Sequence, residues 1–128
     1  IKHFLANKGG KLIHISSIQG VSAPKFEHYK GLKMNSPIAY TAIKSGIIAI
    51  TKYLAKYYGK NNIQVNCISP GGIKDSQPKV FVKRYKNSCL SKGLLEINDL
   101  QPIVFFLISD NSKYINGQNI IIDDGWSL

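Results

Sequence analysis

Three short apolar segments divide the chain. Lys11–Ile15 and Ile63–Ile68 are nearly continuous apolar runs that end in serine or glycine turns, a pattern typical of strands covered on both faces. Asn119–Ile122, followed by Asp123–Gly125, has the same form at the end of the chain. We therefore predict three buried strands.

Helical patterns fill the intervals between these strands. Ser36 and Pro37 are expected to open the longest helix, as N-cap and first helical residue, and Gly59 to stop it. Asn98–Ser109 is predicted to be another helix, capped by Asn98, and a short one is expected around Val80–Tyr85. Apolar residues of the longest helix step by three and four positions: Ile38, Ala42, Ile43, Ile47, Ile50, Leu54 and Tyr57.

Alternating strands and helices predict an α/β fold with a parallel sheet. The first residues, Ile1–Leu5, resemble the end of an amphipathic helix. We therefore expect the 128 residues to continue a longer polypeptide rather than to begin one.

Composition excludes several classes of function. The net charge of +10 comes almost entirely from lysine, whereas base readout relies on arginine, so we expect no nucleic-acid partner. No apolar stretch approaches the roughly 20 residues of a membrane helix, so no membrane partner is expected. Cys67 and Cys89 lack metal-ligand spacing, which implies no metal site and a reduced, cytoplasmic setting.

Candidate chemistry lies where the strands end. Open parallel sheets bind ligands beyond the carboxyl ends of their strands, where Ser16–Ser17 and Ser69–Gly72 stand. Tyr40 and Lys44 are four residues apart in the long helix and therefore share one face. An ammonium beside a phenol stabilises the phenolate, which suits a proton donor or acceptor.

Spacing alone does not establish this site. Chance gives about one Tyr-x-x-x-Lys match in such a chain, and there are two, the second being Tyr29 and Lys33 in a turn-rich segment. Either pair is also compatible with a solvated surface. Ser16 and Ser17 are equally compatible with capping a turn.

Other residues carry structural interpretations. Cys67 is expected to be a small buried hydrophobic residue and His14 a packed core histidine. His28 has no recognisable partner pattern. Three tyrosines of the long helix are expected to pack against other parts of the fold or to lie in an interface: Tyr53, Tyr57 and Tyr58.

Four segments in order resemble the second half of a short-chain dehydrogenase/reductase. They are Gly10–Ser17, Tyr40–Gly46, Val65–Gly71 and Gly117–Asp123, and the resemblance covers nearly the whole chain. It implies the carboxyl-terminal portion of a Rossmann-like, doubly wound parallel sheet in three α/β/α layers. Residues 1–128 would then be a partial NAD(P)-binding domain that lacks the amino-terminal Gly-rich βαβ unit.

The resemblance also implies roles for individual residues. Tyr40 corresponds to the general acid/base and, like Lys44, to a cofactor-binding residue. Lys44 also corresponds to the residue that lowers the tyrosine pKa and holds the nicotinamide ribose, and Ser17 to the residue that binds the reacting carbonyl or hydroxyl. The reaction implied is reversible hydride transfer between NAD or NADP and a small molecule. The loop that passes the nicotinamide is matched by Pro70, Gly71 and Ile73.

Departures from the family pattern leave alternatives open. Asp75 replaces a hydroxyl residue, Asp124 replaces a glycine, and the segment Ala23–Pro37 resembles an insertion of relatives that act on sugar-like molecules. Without a phosphate loop, the chain alone is expected to be inactive. We expect the full-length protein to be a homo-oligomer. The alternative is a non-catalytic remnant that acts as an interaction or oligomerisation module through its long helix.

Overall fold

The computed structural model describes residues 1–128 and contains one parallel sheet. Its strands are β1 (Gly10–Ile15), β2 (Ile63–Pro70) and β3 (Asn119–Ile122), in the order β1-β2-β3. The predicted α/β fold is therefore confirmed. β2, at the centre, continues through Pro70 and not merely to Ile68, because its last residues pair with Ile120–Ile122 of β3.

Four α-helices flank the sheet: α1 (Lys2–Ala6), α2 (Ile38–Tyr58), α3 (Lys79–Lys86) and α4 (Gln101–Ile108). Short 3₁₀ turns join them at Ile18–Gly20, Phe26–His28, Gly59–Asn61, Ile97–Leu100 and Asp110–Ser112. The longest helix, α2, packs on β1 and β2, and α4 contacts β1. None of the helices is both long enough and apolar enough to cross a membrane.

The central strand anchors the core. Every residue of β2 except Gln64 is buried, and Cys67 is fully buried as expected. Ile63 and Val65 pack with Ala55 of α2. A second cluster lies around α3 and the end of the chain and contains Ile18, Phe81, Tyr85, Leu94 and Trp126.

The predicted amino-terminal helix caps were wrong by one or two residues. Pro37 has an extended backbone and precedes α2, because the Ser36 hydroxyl donates to the side-chain oxygen of Gln19 instead of capping the helix. At the other end, α2 stops at Gly59 as predicted, although Gly59 has a right-handed backbone and the left-handed residue is Asn62. Asn98 likewise caps nothing. Glu96 and Asp99 form a capping box at the turn that leads into α4.

The apolar stripe of α2 mostly faces solvent. Ile43 and Tyr57 are 63% and 65% exposed, whereas the buried residues of the helix are Thr51 and Ala55. Thr51 is tolerated in the core because its hydroxyl donates to the Ile47 carbonyl. The helix thus carries apolar side chains on two faces, and periodicity alone did not distinguish the face that packs on the sheet.

We predict that a methyl group at Gly20 would force β1 and α2 apart. A Cβ there would lie 2.7 Å from the Lys44 carbonyl carbon and 2.9 Å from Ser16 Oγ. Overpacking of this kind costs about 1–3 kcal/mol, so Gly20→Ala should lower the free energy of unfolding, measured in urea.

Gly46→Ala is the matched control. A Cβ at this position in α2 meets nothing within 4 Å, and alanine in a helix interior is about 0.5–1 kcal/mol more favourable than glycine. The Gly46 variant should therefore gain stability. Equal stability of the two variants would show that the contact at Gly20 is not tight.

Candidate active site

A cleft of ≈ 460 Å³ lies where β1 and β2 end. This is the position that parallel sheets of this kind use for ligands. All six residues singled out by the sequence line it: Ser17, Tyr40, Lys44, Pro70, Gly71 and Ile73. Residues up to 56 positions apart along the chain therefore meet in one cavity, as the strand-end argument predicts.

One edge of the cleft is the junction between β1 and α2. Buried Ser16 donates its hydroxyl to the Lys44 carbonyl at 2.7 Å. Ser45 Oγ donates to the Gly20 carbonyl at 3.0 Å, and Lys44 Nζ donates to the Ile15 carbonyl at 3.3 Å. These bonds fix the first turns of α2 against the end of β1.

Ser16 and Ser17 have different environments. The Ser16 hydroxyl proton is used within the fold, whereas Ser17 Oγ accepts a hydrogen bond from the backbone N–H of Gln19 at 3.2 Å. Ser17 thus caps a turn, as its structural interpretation predicted. Its own hydroxyl proton is not used by that bond and can be donated to a molecule in the cleft.

Tyr40 and Lys44 lie on one face of α2, as their spacing predicted. Tyr40, in the first turn, is 40% exposed. The Lys44 ammonium nitrogen is 5.5 Å from the centroid of its ring. The pair therefore places a phenol and an ammonium side by side at the entrance of the cleft.

The second Tyr-x-x-x-Lys match does not form such a pair. Tyr29 follows a 3₁₀ turn, and Lys33 lies in a stretch without helix. The Tyr29 hydroxyl accepts a hydrogen bond from Gln19 Nε2 at 3.1 Å, and burial raises its pKa. Tyr29 is therefore part of the cleft wall.

The strand-end side of the cleft is tightly packed. A Cβ at Gly71 would lie 2.9 Å from the Asp123 Cα, so β2 and the turn after β3 approach closely there. The Tyr85 hydroxyl accepts a hydrogen bond from the Gly72 N–H at 2.5 Å, and burial raises the tyrosine pKa. Gly71 is thus required by packing within the chain.

Sequence reasoning missed the aromatic wall of the cleft, which consists of Tyr29, Phe81, Tyr85 and Trp126. His28 lies behind it, only 2% exposed, with its ring 5.9 Å from Trp126. His28 Nε2 is 3.0 Å from Ser88 Oγ, and burial is the main cause that lowers its pKa. His14, by comparison, is half-buried and bonded to Thr51 at 2.8 Å.

The segment predicted as an insertion forms part of the same wall. Its residues Tyr29, Met34, Asn35, Ser36 and Pro37 line the cleft. Arg84 of α3 fastens it by donating to the Lys30 carbonyl at 2.6 Å. The only sequence signal for this wall was the extra length before Tyr40.

The two acidic departures have different environments. Asp75 is exposed and does not line the cleft. Asp124, with a left-handed backbone (φ 53°), accepts hydrogen bonds from the backbone N–H groups of Ser91, Lys92 and Gly93. No group of three or more histidine, cysteine, aspartate or glutamate side chains is placed to hold a metal ion.

Comparisons with known proteins agree on one family. Residues 1–127 match the family model described as enoyl-(acyl carrier protein) reductase. Post-translational flagellin modification protein A of Campylobacter coli is 43% identical over 100% of this chain and 50% of its own length. The 2-dehydro-3-deoxy-D-gluconate 5-dehydrogenase of Escherichia coli is 33% identical over 98% of this chain and 48% of its own.

A solved structure gives the same result. The short-chain dehydrogenase from Leptospira borgpetersenii with bound NAD⁺ superposes with a TM-score of 0.92 and 38% identity, covering 99% of this chain and 48% of that one. The chain spans about half the length of the relatives it matches.

We predict that Asp124 stabilises the fold only while it is ionised. Hydrogen bonds from the Gly93 N–H and the Ser91 hydroxyl, the two largest causes, lower its pKa from 3.8 to about 2. Its contribution is therefore fully present above about pH 4 and is lost as the pH falls toward 2. Asparagine tolerates the left-handed backbone. Asp124→Asn should therefore lower the thermal midpoint of unfolding at pH 7. Below pH 4, the midpoint of this variant should fall less with decreasing pH than that of the parent chain.

Asp75→Asn is the control because Asp75 is exposed, and no hydrogen bond to its carboxylate is present. It should leave the thermal midpoint and its pH dependence unchanged. If both asparagine variants behave like the parent chain, the carboxylate of Asp124 does not hold the 91–93 loop.

Proposed function

The chain belongs to the short-chain dehydrogenase/reductase family, and we propose that the whole protein is an NAD(P)-dependent oxidoreductase acting on a hydroxyl or carbonyl group. The observation that carries this proposal is the convergence of Ser17, Tyr40 and Lys44 on one cleft. The relative with bound NAD⁺ supports the choice of cofactor.

The residues of the cleft fit such a cofactor. Lys44 is the only charged side chain that lines it, and no carboxylate does, which suits an anionic dinucleotide. Lys44 would hold the ribose, and Pro70, Gly71 and Ile73 would pass along the nicotinamide. A bound nicotinamide would supply or accept the hydride.

The chain's own residues would control the proton and the orientation of the substrate. In the reducing direction, Tyr40 donates the proton of its hydroxyl to the substrate oxygen. Ser17 donates a hydrogen bond to the same oxygen, which holds the reacting carbon in place. The Lys44 ammonium stabilises the phenolate that remains on Tyr40.

We propose that residues 1–128 form part of a larger nucleotide-binding domain. β1 pairs with β2 on one side and has no strand partner on the other. A doubly wound sheet continues at such an edge. The chain contains no Gly-rich phosphate loop, so alone it would bind dinucleotide weakly and turn over little. Its free thiols, Cys67 and Cys89, suit a reduced, cytoplasmic setting.

A sugar-like substrate is part of the proposal. The cleft lining includes the side-chain amide of Asn35, which has no hydrogen bond within the chain, and the amide of Gln19, whose second N–H is not used by its bond to Tyr29; such groups suit a polyhydroxylated molecule. The Escherichia coli relative bears the name of a dehydrogenase for a deoxy sugar acid.

A second proposal concerns assembly. The outer face of α2, formed by Ile43, Ile50, Tyr53 and Tyr57, is more than half exposed at each residue. Tyr53 and Tyr57 stack on each other with centroids 6.0 Å apart. Continuous apolar surface of this kind is typical of a subunit contact, so we propose a homo-oligomer. A non-catalytic interaction module would use the same face.

Tyr40→Phe in the full-length protein tests the catalytic proposal. Removing the proton donor should reduce kcat for NAD(P)-linked turnover at least 100-fold, since general acid–base catalysis contributes about 10²–10⁴. The dinucleotide affinity should fall far less than kcat, because Lys44, Pro70, Gly71 and Ile73 remain in place. Tyr53→Phe, on the same helix but outside the cleft, is the control and should keep full activity. Near-normal turnover by Tyr40→Phe would overturn the assignment of Tyr40, whereas absence of NAD(P)-linked turnover in the parent protein would favour the non-catalytic module.

The double variant Ile43→Lys/Ile50→Lys tests the assembly proposal. Two charges on the outer face of α2 should dissociate the oligomer, measured by sedimentation velocity. Tyr114→Lys, at a residue that is 91% exposed elsewhere, is the control. An unchanged sedimentation coefficient of the double variant would show that the contact lies on another surface.

A further inference from the structure

The loop of residues 71–74, which follows β2, is tied to the fold through its backbone. The Gly72 carbonyl accepts a hydrogen bond from the Leu95 N–H at 2.8 Å, and the Lys74 N–H donates to the Leu95 carbonyl at 2.7 Å. The Gly72 N–H has a different partner, the hydroxyl oxygen of Tyr85 at 2.5 Å. A side chain of α3 therefore holds this loop together with backbone contacts.

Ile73 lies between these two tied residues. Its carbonyl accepts a hydrogen bond from Gln77 Nε2 at 2.8 Å, whereas its N–H has no partner within the chain. Ile73 also lines the cleft. Because Gly72 and Lys74 are bonded on either side of it, the orientation of its free N–H depends on their contacts, and the bond from Gly72 to Tyr85 is one of these.

Tyr85 is suited to hold a loop because its own ring is held on several sides. The residue is only 5% exposed. Its ring stacks on Trp126 with centroids 5.7 Å apart, and its centroid lies 5.8 Å from that of Phe81 and 5.5 Å from that of His28. Burial raises the tyrosine pKa, so the hydroxyl stays neutral at physiological pH. A partner fixed in this way adds little cost of ordering when a ligand binds.

Two successive glycines let the loop and Tyr85 approach closely. A Cβ at Gly71 would lie 3.0 Å from the Tyr85 hydroxyl oxygen. A Cβ at Gly72 would lie 3.0 Å from the Tyr85 Cζ and 2.6 Å from a methyl carbon of Leu94. The path of the loop is therefore set by the end of the Tyr85 ring as well as by its hydrogen bond.

We propose that Tyr85 is a positioning residue whose hydroxyl holds residues 71–74 in the path that receives the nicotinamide. This rests on the proposed function, in which the loop passes along that ring. Without the hydroxyl, the Gly72 N–H loses its partner, and the loop has to be ordered when the dinucleotide binds. The effect should therefore be confined to the nicotinamide end of the dinucleotide.

Tyr85→Phe in the full-length protein tests the proposal by binding, measured by calorimetry. The ligands are NAD⁺ or NADP⁺, whichever the parent protein binds more tightly, and ADP-ribose or its 2′-phosphate, which lacks the nicotinamide. The variant keeps the ring in its cluster and should bind the dinucleotide about fivefold more weakly, the effect of one neutral hydrogen bond. Its affinity for the ADP-ribose compound should equal that of the parent. Tyr58→Phe, on α2 and outside the cleft, is the control and should bind both ligands like the parent.

Hydrogen exchange of backbone amides in the unliganded parent protein is the second measurement, and it does not depend on the folding of Tyr85→Phe. The Gly72 amide, bonded to a buried hydroxyl, should exchange about tenfold more slowly than the Ile73 amide. Equal exchange rates at these two amides would overturn the role of Tyr85. Unchanged dinucleotide affinity in Tyr85→Phe, or equal weakening of both ligands, would do the same. A parent protein that binds neither ligand would overturn the proposed function, and this inference with it.

Discussion

The contact between the Gly20 turn and the backbone of Lys44 is the constraint on which the candidate site depends. The absence of a side chain at Gly20 allows the turn to approach α2, and the Ser16 hydroxyl then reaches the Lys44 carbonyl at 2.7 Å. Since Tyr40 is one helical turn before Lys44, the same contact sets its distance from the end of β1. Ser17 follows Ser16 directly. The same backbone contact therefore sets the position of Ser17 relative to Tyr40, the proposed proton donor.

The opposite wall is held in a different way. The segment before α2 contains no regular helix or strand and is fastened by single contacts: Arg84 to the Lys30 carbonyl, Gln19 to Tyr29 and Ser36, and buried His28 to Ser88. Because burial lowers the pKa of His28, the ring is neutral near pH 7 and packs among aromatic side chains without the cost of burying a charge. This wall therefore depends on individual side-chain contacts, whereas the junction of β1 and α2 depends on backbone packing. The wall is the part of the cleft suited to select a substrate.

The same division explains what the sequence could predict. Strands and helices follow from local patterns. The six proposed site residues follow from the rule that ligands bind where parallel strands end together with the resemblance to the family, and all six line the cleft. The N-cap of α2 was misplaced because Ser36 bonds to Gln19, a partner 17 residues away. Trp126, His28 and Tyr85 were missed because their neighbours come from distant segments. Periodicity did not identify the buried face of α2, because the helix is apolar on both faces.

The net charge of the chain likewise says nothing about its ligands until the structure shows where the charged residues lie. Of its 17 lysine and arginine residues, Lys44 alone lines the cleft. Charges on the open surface are screened by salt over about 8–10 Å. A charge in a cleft with low-dielectric walls acts more strongly on a bound molecule. The absence of carboxylates from the cleft lining therefore matters more for ligand choice than the overall value of +10.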